Sequence, residues 1–472
     1  MCSPNNSRKN SLIFRQVTAV HLESLESIVS RERISTGESN LDLHSRDQSH
    51  HASSRPEVVI WPTRKEEVIQ IVRYANESLI PVTCWGSGSS LEGNPIPISG
   101  GIVLDFSQMN RILQIREADF QADVEPGLVY QDLNKELRHK GLFFPPDPGA
   151  RATIGGMISN NASGTRTVRY GSTRNHILRL SVATANGELI QMGTRASKTS
   201  SGYDLINLIV GSEGTLGIVV EATVRLTGYP AESSAAIAAF PSVEASSEAV
   251  VEVIRSGLEP ASLELMSPEC VELINLQRAL GLTVSPVLFM EFHGPTKEYL
   301  VDVLDSVKEI CEEEGCIEFR AGLDREERDR LLSVRHELGE MIIRNHPGRQ
   351  SLVIDVAVPI TAYPEIIALA KEETRKADIP GYIFSHAGDG NLHLFFMVRK
   401  EDEKEMAIID RINQDMVLRA LAVGGTATGE HGVGIGKRRF MEIEHGPSLA
   451  LMRRIKTLFD PKGILNPGKI FI

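Results

Sequence analysis

No uninterrupted apolar run in the 472 residues approaches the roughly 18–20 residues of a membrane span, so no transmembrane helix is expected. Cysteine is scarce. The five present (Cys2, Cys84, Cys270, Cys311 and Cys316) are scattered, odd in number and without the close spacing of an iron–sulfur or structural zinc motif. They suit a reducing compartment, and a redox protein built on this chain must pass its electrons to a carrier outside itself. An excess of positive charge is missing too: 62 acidic against 50 basic residues give a net charge of −12, which argues against a nucleic-acid partner. Near the start the only apolar patch, Leu12-Ile13-Phe14, is too short for a signal-peptide core, so a cytoplasmic location is expected, with peripheral contact at an inner membrane face left open. A mitochondrial presequence also stays open. The first 22 residues contain Arg8, Lys9 and Arg15 and no acid, although Glu23, Glu26 and Glu32 follow quickly.

What is there reads as an ordinary globular chain, 41% hydrophobic and 24% charged, long enough for two or three domains. Residues 1–53 are polar and Ser/Asn/His-rich, with one short amphipathic helix expected from His21 to about Arg33. A glycine-rich module spans 54–230. Val58-Val59-Ile60-Trp61-Pro62 reads as a strand, and Thr63-Arg64-Lys65-Glu66 opens a helix with Thr63 as N-cap and Glu66 closing a capping box. After the strand Pro81–Trp85 comes Gly86-Ser87-Gly88-Ser89-Ser90-Leu91-Glu92-Gly93, a loop of small residues that exposes its N–H groups as a nest for an anion such as a pyrophosphate. It is not a Rossmann fingerprint, because Leu91 stands where the third glycine would fall, and it lacks the Gly-Lys-Ser/Thr ending of a P-loop. Two more such loops follow, Pro145–Gly164 and Gly211–Val219, with an Asn-Gly hairpin, Ile177–Thr184 and Glu188–Met192, between them. Three polar-glycine loops on a β-rich scaffold suggest one long phosphate-bearing ligand lying past all of them.

The second half, 231–403, alternates helices (Val243–Ile254, Pro268–Leu280, Tyr299–Glu314, Arg325–Arg344) with strands (Leu288–Phe292, Leu352–Val358), as in an antiparallel sheet covered on one face. Its most informative stretch is Ser385-His386-Ala387-Gly388-Asp389-Gly390-Asn391-Leu392-His393, between two apolar runs. As a hairpin it sets His386 and His393 opposite each other with Cβ atoms roughly 4.5–5.5 Å apart, close enough to share a cation. A third ligand is available in Gly429-Glu430-His431-Gly432, where flanking glycines let Glu430 enter a crowded site. Zinc and manganese both suit a His/His/Glu set. Two histidines at strand ends beside a glycine turn can also be purely structural, and Asp389 reads as a turn residue rather than a ligand.

Pro81 to Gly93, Asp147 to Gly164 and Gly211 to Val219 resemble the FAD-binding module of the vanillyl-alcohol-oxidase/p-cresol-methylhydroxylase flavoproteins. The histidine hairpin, Glu430-His431 and the ending Phe459-Asp460-Pro461-Lys462-Gly463-Ile464-Leu465-Asn466-Pro467-Gly468-Lys469 resemble the FAD-linked D-2-hydroxy-acid dehydrogenases within that group. The resemblance implies an α+β protein: a two-part FAD-binding domain plus an antiparallel-sheet α+β substrate domain, with 404–472 returning to the flavin domain. It implies non-covalent FAD, since no histidine stands between Pro81 and Gly93. The expected flavin contacts are Trp85, Gly86, Ser87, Gly88, Ser89 and Ser90 in the first loop and Pro146, Asp147, Thr153, Gly155, Gly156, Ser159, Asn161, Ser163 and Gly164 in the second. Glu213, Gly214 and Ile218 follow in the third loop, and Asn466 in the tail.

Oxidising a 2-hydroxy acid takes a proton from the hydroxyl and a hydride equivalent from the α-carbon while the carboxylate is held. The corresponding expectations are FAD as acceptor, a divalent cation on His386, His393 and Glu430 to acidify the hydroxyl, and His431 (or a water) as general base. Arg335 is expected as carboxylate clamp, or as an ordinary helix ion pair, and Asn391 as a further hydrogen bond. D-Lactate dehydrogenase leads among the substrates, ahead of the flavoprotein subunit of a glycolate oxidase complex and of D-2-hydroxyglutarate dehydrogenase. A catalytically silent flavin- or metal-binding protein is the reading from another class. The electron acceptor (quinone, cytochrome or iron–sulfur protein) and the oligomeric state, a homodimer among the options, stay open.

Overall fold

The computed structural model describes residues 14–278, 280–322 and 325–471, and of the helix Arg325–Asn345 it describes side chains only for residues 334, 335 and 337–345. Cys2, Arg8, Lys9, Leu12 and Ile13, on which the leader and compartment expectations partly rest, lie outside the described residues. Among the described residues no helix is long and apolar enough to cross a membrane.

The glycine-rich module holds two larger sheets and a two-stranded one, Leu142–Phe143 with Thr227–Gly228. Parallel strands Val58–Ile60, Ile102–Asp105 and Val82–Trp85 form the first, with Ile34–Ser35 antiparallel on its edge. Their β-branched residues are buried on both faces, as parallel strands require. The second sheet is antiparallel, in the order Ile112–Arg116, Gln121–Val124, Ile218–Arg225, Ile177–Ala183, Leu189–Gly193. Its last two strands are the expected hairpin, and Gly187 at φ +70° supplies the left-handed turn position.

The first helix of the module, Lys65–Ser78, buries Val68, Ile71, Val72 and Ala75 at helical spacing. Its N-terminus departs from expectation. The N-cap is Arg64, with no side-chain cap, and the carboxylate that reaches back is Glu67, which accepts from the Thr63 N–H at 2.9 Å. The reason is a competing cation: Arg33 forks onto the same carboxylate at 2.6 and 2.9 Å, drawing Glu67 rather than Glu66 inward. Burial pushes the Glu67 carboxyl up, but Arg33, the Thr63 N–H and Arg64 outweigh it and hold the pKa at about 2. A depressed carboxyl stabilises the fold above its unfolded pKa, and that contribution is lost as pH falls from about 4.5 toward 2. Glu67→Gln is therefore expected to lower the thermal midpoint by roughly 5 °C at pH 7, with the gap to wild type closing below pH 4. Scanning calorimetry across pH 2–7 checks this; a gap that stays constant would refute it.

The second half is built on one seven-stranded sheet, every neighbour antiparallel. Its order is Glu318–Ala321, Glu232–Ala239, Val287–Gly294, Ser262–Met266, Gly381–His386, Asn391–Arg399, Arg349–Ala357. Alternation sorts the side chains. Leu263, Leu265, Ile383, Leu394, Phe396, Ile354 and Val356 face one core, under the helices Val243–Arg255, Lys297–Glu313, Tyr363–Ala377 and Glu403–Ala422. Met266, Phe384, Phe395 and Met397 face a second core with the helices Pro268–Arg278 and Arg325–Asn345. Helices thus cover both faces, not one as expected. On the second face the same strands continue past the apolar cover into Glu264, His386, His393 and Asp355. The alternation that builds the core also builds the site.

Near its end the chain packs against the first sheet of the glycine-rich module. The Val82 N–H donates to the Ile464 carbonyl and the Asn466 N–H to the Val82 carbonyl, both at 2.8 Å, adding Leu465 as a parallel bridge beside Val82.

Candidate active site

A cleft in the glycine-rich module is walled by the three glycine-rich loops, with Glu430 and His431 also in its lining. The first loop contributes Trp85 to Leu91. Gly88 sits at φ +64°, and a Cβ there would lie 2.5 Å from the Trp85 ring, so only glycine lets the loop fold back over that ring. From the second loop come Thr153, Gly155, Gly156, Ser159 and Ser163, with Thr153 capping the helix Ile154–Asn160 by accepting from the Gly156 N–H at 3.3 Å. Glu213, Gly214 and Ile218 of the third loop complete the wall together with Asn466. Among the described lining residues there is no lysine or arginine. Backbone N–H groups and small hydroxyls are what the cleft offers a pyrophosphate, and its glycines leave room for the close approach a dinucleotide needs.

Four expected contacts lie elsewhere. Pro146, Asp147, Asn161 and Gly164 do not line the cleft; they shape the second loop. Asp147 accepts from the Tyr130 hydroxyl at 2.6 Å and from the Gly149 N–H at 3.2 Å. Asn161 is the left-handed residue that ends its helix, its side-chain Oδ1 accepting from the Ser172 hydroxyl and the Arg174 N–H at 3.0 Å each. A Cβ on Gly164 would fall 1.9 Å from the Asp147 carbonyl oxygen. Nothing in residue type separates an Asn that contacts a ligand from one that ends the helix beside it.

At Glu430 three donors converge. His386 Nε2 lies 3.3 Å and His393 Nε2 3.2 Å from the same Glu430 oxygen, Oε1, and one donor atom from each of the three residues falls within 4.8 Å of the others. The hairpin register differs from the one expected. His386 pairs with Asn391 and His393 with Phe384, so the imidazoles are diagonal rather than opposite. Long rings bridge a diagonal easily, and here the ring centroids are 5.3 Å apart and nearly perpendicular. His393 Nε2, itself buried, lies between two carboxylates, with Asp355 Oδ1 at 3.5 Å on its other side. Burial pulls both histidines down, yet Glu264 and Glu430 raise His386 to about 10, and Asp355 and Glu430 leave His393 raised as well. A set of two imidazoles and one carboxylate, one donor atom from each gathered within 4.8 Å, has the chemistry of a divalent-cation site. His431 differs. Burial lowers its pKa, keeping it neutral, and its ring stacks on His393 at 5.1 Å with a 9° tilt.

Two carboxylates that hold this cluster were not expected as site residues. Glu264, fully buried on the strand Ser262–Met266, accepts from His386 Nδ1 at 2.8 Å and so turns Nε2 toward Glu430. Asp355, also fully buried, accepts from the N–H groups of Gly429, Glu430 and His431 at 2.8, 3.0 and 3.1 Å. Their only sequence signal is an acid inside an apolar strand, Leu263-Glu264-Leu265 and Ile354-Asp355-Val356, a place that burial makes costly unless the charge is used. Arg335 and Asn391 are correspondingly reassigned. Arg335 donates through Nε to Glu264 at 2.7 Å and lies over the Phe384 ring, outside the main cleft, so the fork expected for a substrate carboxylate already holds a protein one. Asn391 donates to Asp355 Oδ1 at 2.7 Å and to the Val356 carbonyl at 3.0 Å. It serves the loop, not a ligand. Asp389 sits in the turn as expected, burial raising its carboxyl to about 7.

A two-domain fold of this kind, with a glycine-walled cleft bordered by an ionisable cluster, defines a flavin-dependent oxidoreductase. The chain belongs to the FAD-linked oxidases: residues 56–193 match the FAD binding domain family and residues 229–470 the family of FAD linked oxidases, C-terminal domain. It is 36% identical to a probable mitochondrial D-lactate dehydrogenase of Danio rerio, over 95% of this chain and 91% of that one. With the glycolate oxidase subunit GlcD of Bacillus subtilis it shares 34% identity over 95% and 96% of the two chains. In fold it is similar to 4-ethylphenol oxidase from Gulosibacter chungangensis, with a TM-score of 0.78, 18% identity and 96% coverage of both chains.

Proposed function

We propose that the protein oxidises a small D-2-hydroxy acid, D-lactate first, with non-covalent FAD and a divalent cation, and passes the electrons to an external acceptor. The observation that carries this reading is the convergence of His386 and His393 on one oxygen of Glu430 where Glu430 and His431 wall the flavin cleft. Likeness to D-lactate dehydrogenases over nearly the full chain supports the substrate class.

FAD, held by the three loops, supplies the hydride acceptor. A zinc or manganese ion on His386, His393 and Glu430 would supply the positive charge that makes a substrate hydroxyl acidic. The rest falls to the chain. His431, held neutral by burial, takes the hydroxyl proton on its imidazole. Glu264 fixes the His386 ring so that Nε2 faces the cluster, and His386 and Arg335 together hold the Glu264 carboxyl down against the opposing effect of burial.

The test is anaerobic addition of D-lactate, L-lactate, glycolate and D-2-hydroxyglutarate to the purified yellow protein, following flavin bleaching before and after chelation. Fast bleaching by D-lactate, abolished by chelator and restored by zinc or manganese, is the expected result. Glycolate bleaching fastest would instead favour the glycolate oxidase subunit, a reading that the likeness to GlcD over 96% of its length keeps in view. Flavin that no 2-hydroxy acid reduces would overturn both.

A further inference from the structure

We propose that Asp355 and Glu213 are paired positioning residues, one from each domain, that together hold Glu430 and His431 at their working distance from the flavin cleft. This deepens the proposed function and rests on it for the roles of Glu430 and His431.

The segment from Thr428 to Gly434 has no helix or strand to fix it. Its backbone N–H groups are held instead by two buried carboxylates, while the Asn160 amide reaches the His431 carbonyl at 3.3 Å and the Ile470 N–H the Gly434 carbonyl at 3.2 Å. From the substrate sheet, Asp355 Oδ2 accepts from the Thr428 hydroxyl at 2.8 Å and from the N–H groups of Gly429, Glu430 and His431. From the third flavin loop, Glu213 Oε1 accepts from the Val433 N–H at 2.6 Å, and both its oxygens accept from the Gly434 N–H at 3.1 and 3.0 Å. Only Gly432, at φ +83°, separates the two grips. The segment is therefore hung between the domains, with the cation-site carboxylate and the candidate base in the half that Asp355 holds.

Both grips are rigid. Asn391 fixes Asp355 Oδ1 at 2.7 Å, and buried Lys437 donates to the Asp355 carbonyl at 3.2 Å. Glu213 stands at φ +54° in the third loop, where its own N–H donates to the Ser159 carbonyl at 2.8 Å and its carbonyl accepts from Asn466 at 2.7 Å. Charge-assisted hydrogen bonds to buried carboxylates are the strong kind, and a misplacement of about 1 Å between reacting groups costs on the order of a hundredfold in rate. Two grips on opposite sides of Gly432 fix that distance where one would leave a pivot.

The experiment uses the full-length holoprotein and the variants Asp355→Asn, Glu213→Gln and Thr428→Val. Amide exchange by mass spectrometry is read over 426–436, with the helix Lys65–Ser78 as internal control, beside the rate of anaerobic flavin bleaching and its dependence on substrate concentration. Exchange is expected to rise at least tenfold over 429–431 in Asp355→Asn and over 433–434 in Glu213→Gln, with the control helix unchanged. The bleaching rate at saturation should fall at least tenfold in both, with half-saturation within threefold of wild type. Thr428→Val removes one donor without touching either carboxylate; it is expected to give a smaller change in the same direction, and it keeps the test valid should Asp355→Asn fail to fold. Unchanged exchange, or raised exchange with bleaching within twofold of wild type, overturns the proposal. A wild-type flavin that no hydroxy acid bleaches would sink the proposed function instead, and the exchange results would still decide whether the two carboxylates fix the loop.

Discussion

Glu430→Gln is expected to slow flavin reduction by a 2-hydroxy acid at least a thousandfold while leaving the protein yellow. The reasoning is geometric. Both imidazoles aim Nε2 at one oxygen of this carboxylate, and the surrounding charges hold its pKa well below the usual carboxylate value against the opposing effect of burial. The amide has nearly the same shape but carries no charge. A divalent cation then loses its only anionic donor among the three, and two raised histidines lose the partner that offsets their desolvation. Flavin binding is spared because the loops that wall the rest of the cleft are untouched. Stopped-flow absorbance gives the rate, elemental analysis the bound metal and the visible spectrum the flavin. A variant that retains its metal and loses less than tenfold in rate would remove Glu430 from the chemistry.

Gly164→Ala is expected to abolish flavin retention and to lower the thermal midpoint by at least 10 °C. At φ +141° the backbone is in a region essentially closed to residues with a Cβ, and that Cβ would lie 1.9 Å from the Asp147 carbonyl oxygen. The carbonyl cannot step aside cheaply, because Tyr130 and the Gly149 N–H hold the Asp147 side chain. The whole second loop must move, and with it Ser163 on the cleft wall. Gly141→Ala is the control. It too has positive φ, +67°, but nothing lies within 4 Å of its Cβ, so only about 1 kcal/mol of backbone strain is expected and the flavin should stay. Equal losses in the two variants would place the effect in backbone strain alone.

Much of this was readable in the chain because periodicity and turn chemistry are local. Val68, Ile71, Val72 and Ala75 announce a helix, and Asn186-Gly187 a hairpin. The strand Glu232–Ala239 was not announced. Its alanines have low β preference, and it is a strand because Val287–Gly294 and Glu318–Ala321 pair with it from both sides. The site divides in the same way. His386, His393 and Glu430 stand in glycine-marked turns, whereas Glu264 and Asp355 look like single acids in apolar strands until pairing sets Glu264 against His386 and the Thr428–His431 segment over Asp355. Of the two expectations for Arg335, sequence cannot choose between clamp and ion pair, because a guanidinium on a helix does not show that a buried carboxylate, here Glu264, stands within its reach.

The return of the chain to the flavin domain has a consequence for biosynthesis. Asn466 bonds the carbonyls of Asn94 and Glu213, and Leu465 lies beside Val82, yet the substrate domain lies between them in sequence. A ribosome adds residues at about 5–20 per second, so the stretch from Arg225 to Asn466 takes on the order of ten to fifty seconds to emerge. For that interval the nascent flavin domain has its three loops but not the wall that Asn466 supplies. The cofactor cleft is finished only after the domain that positions the substrate has been made, which ties flavin loading to completion of the chemistry that will use it.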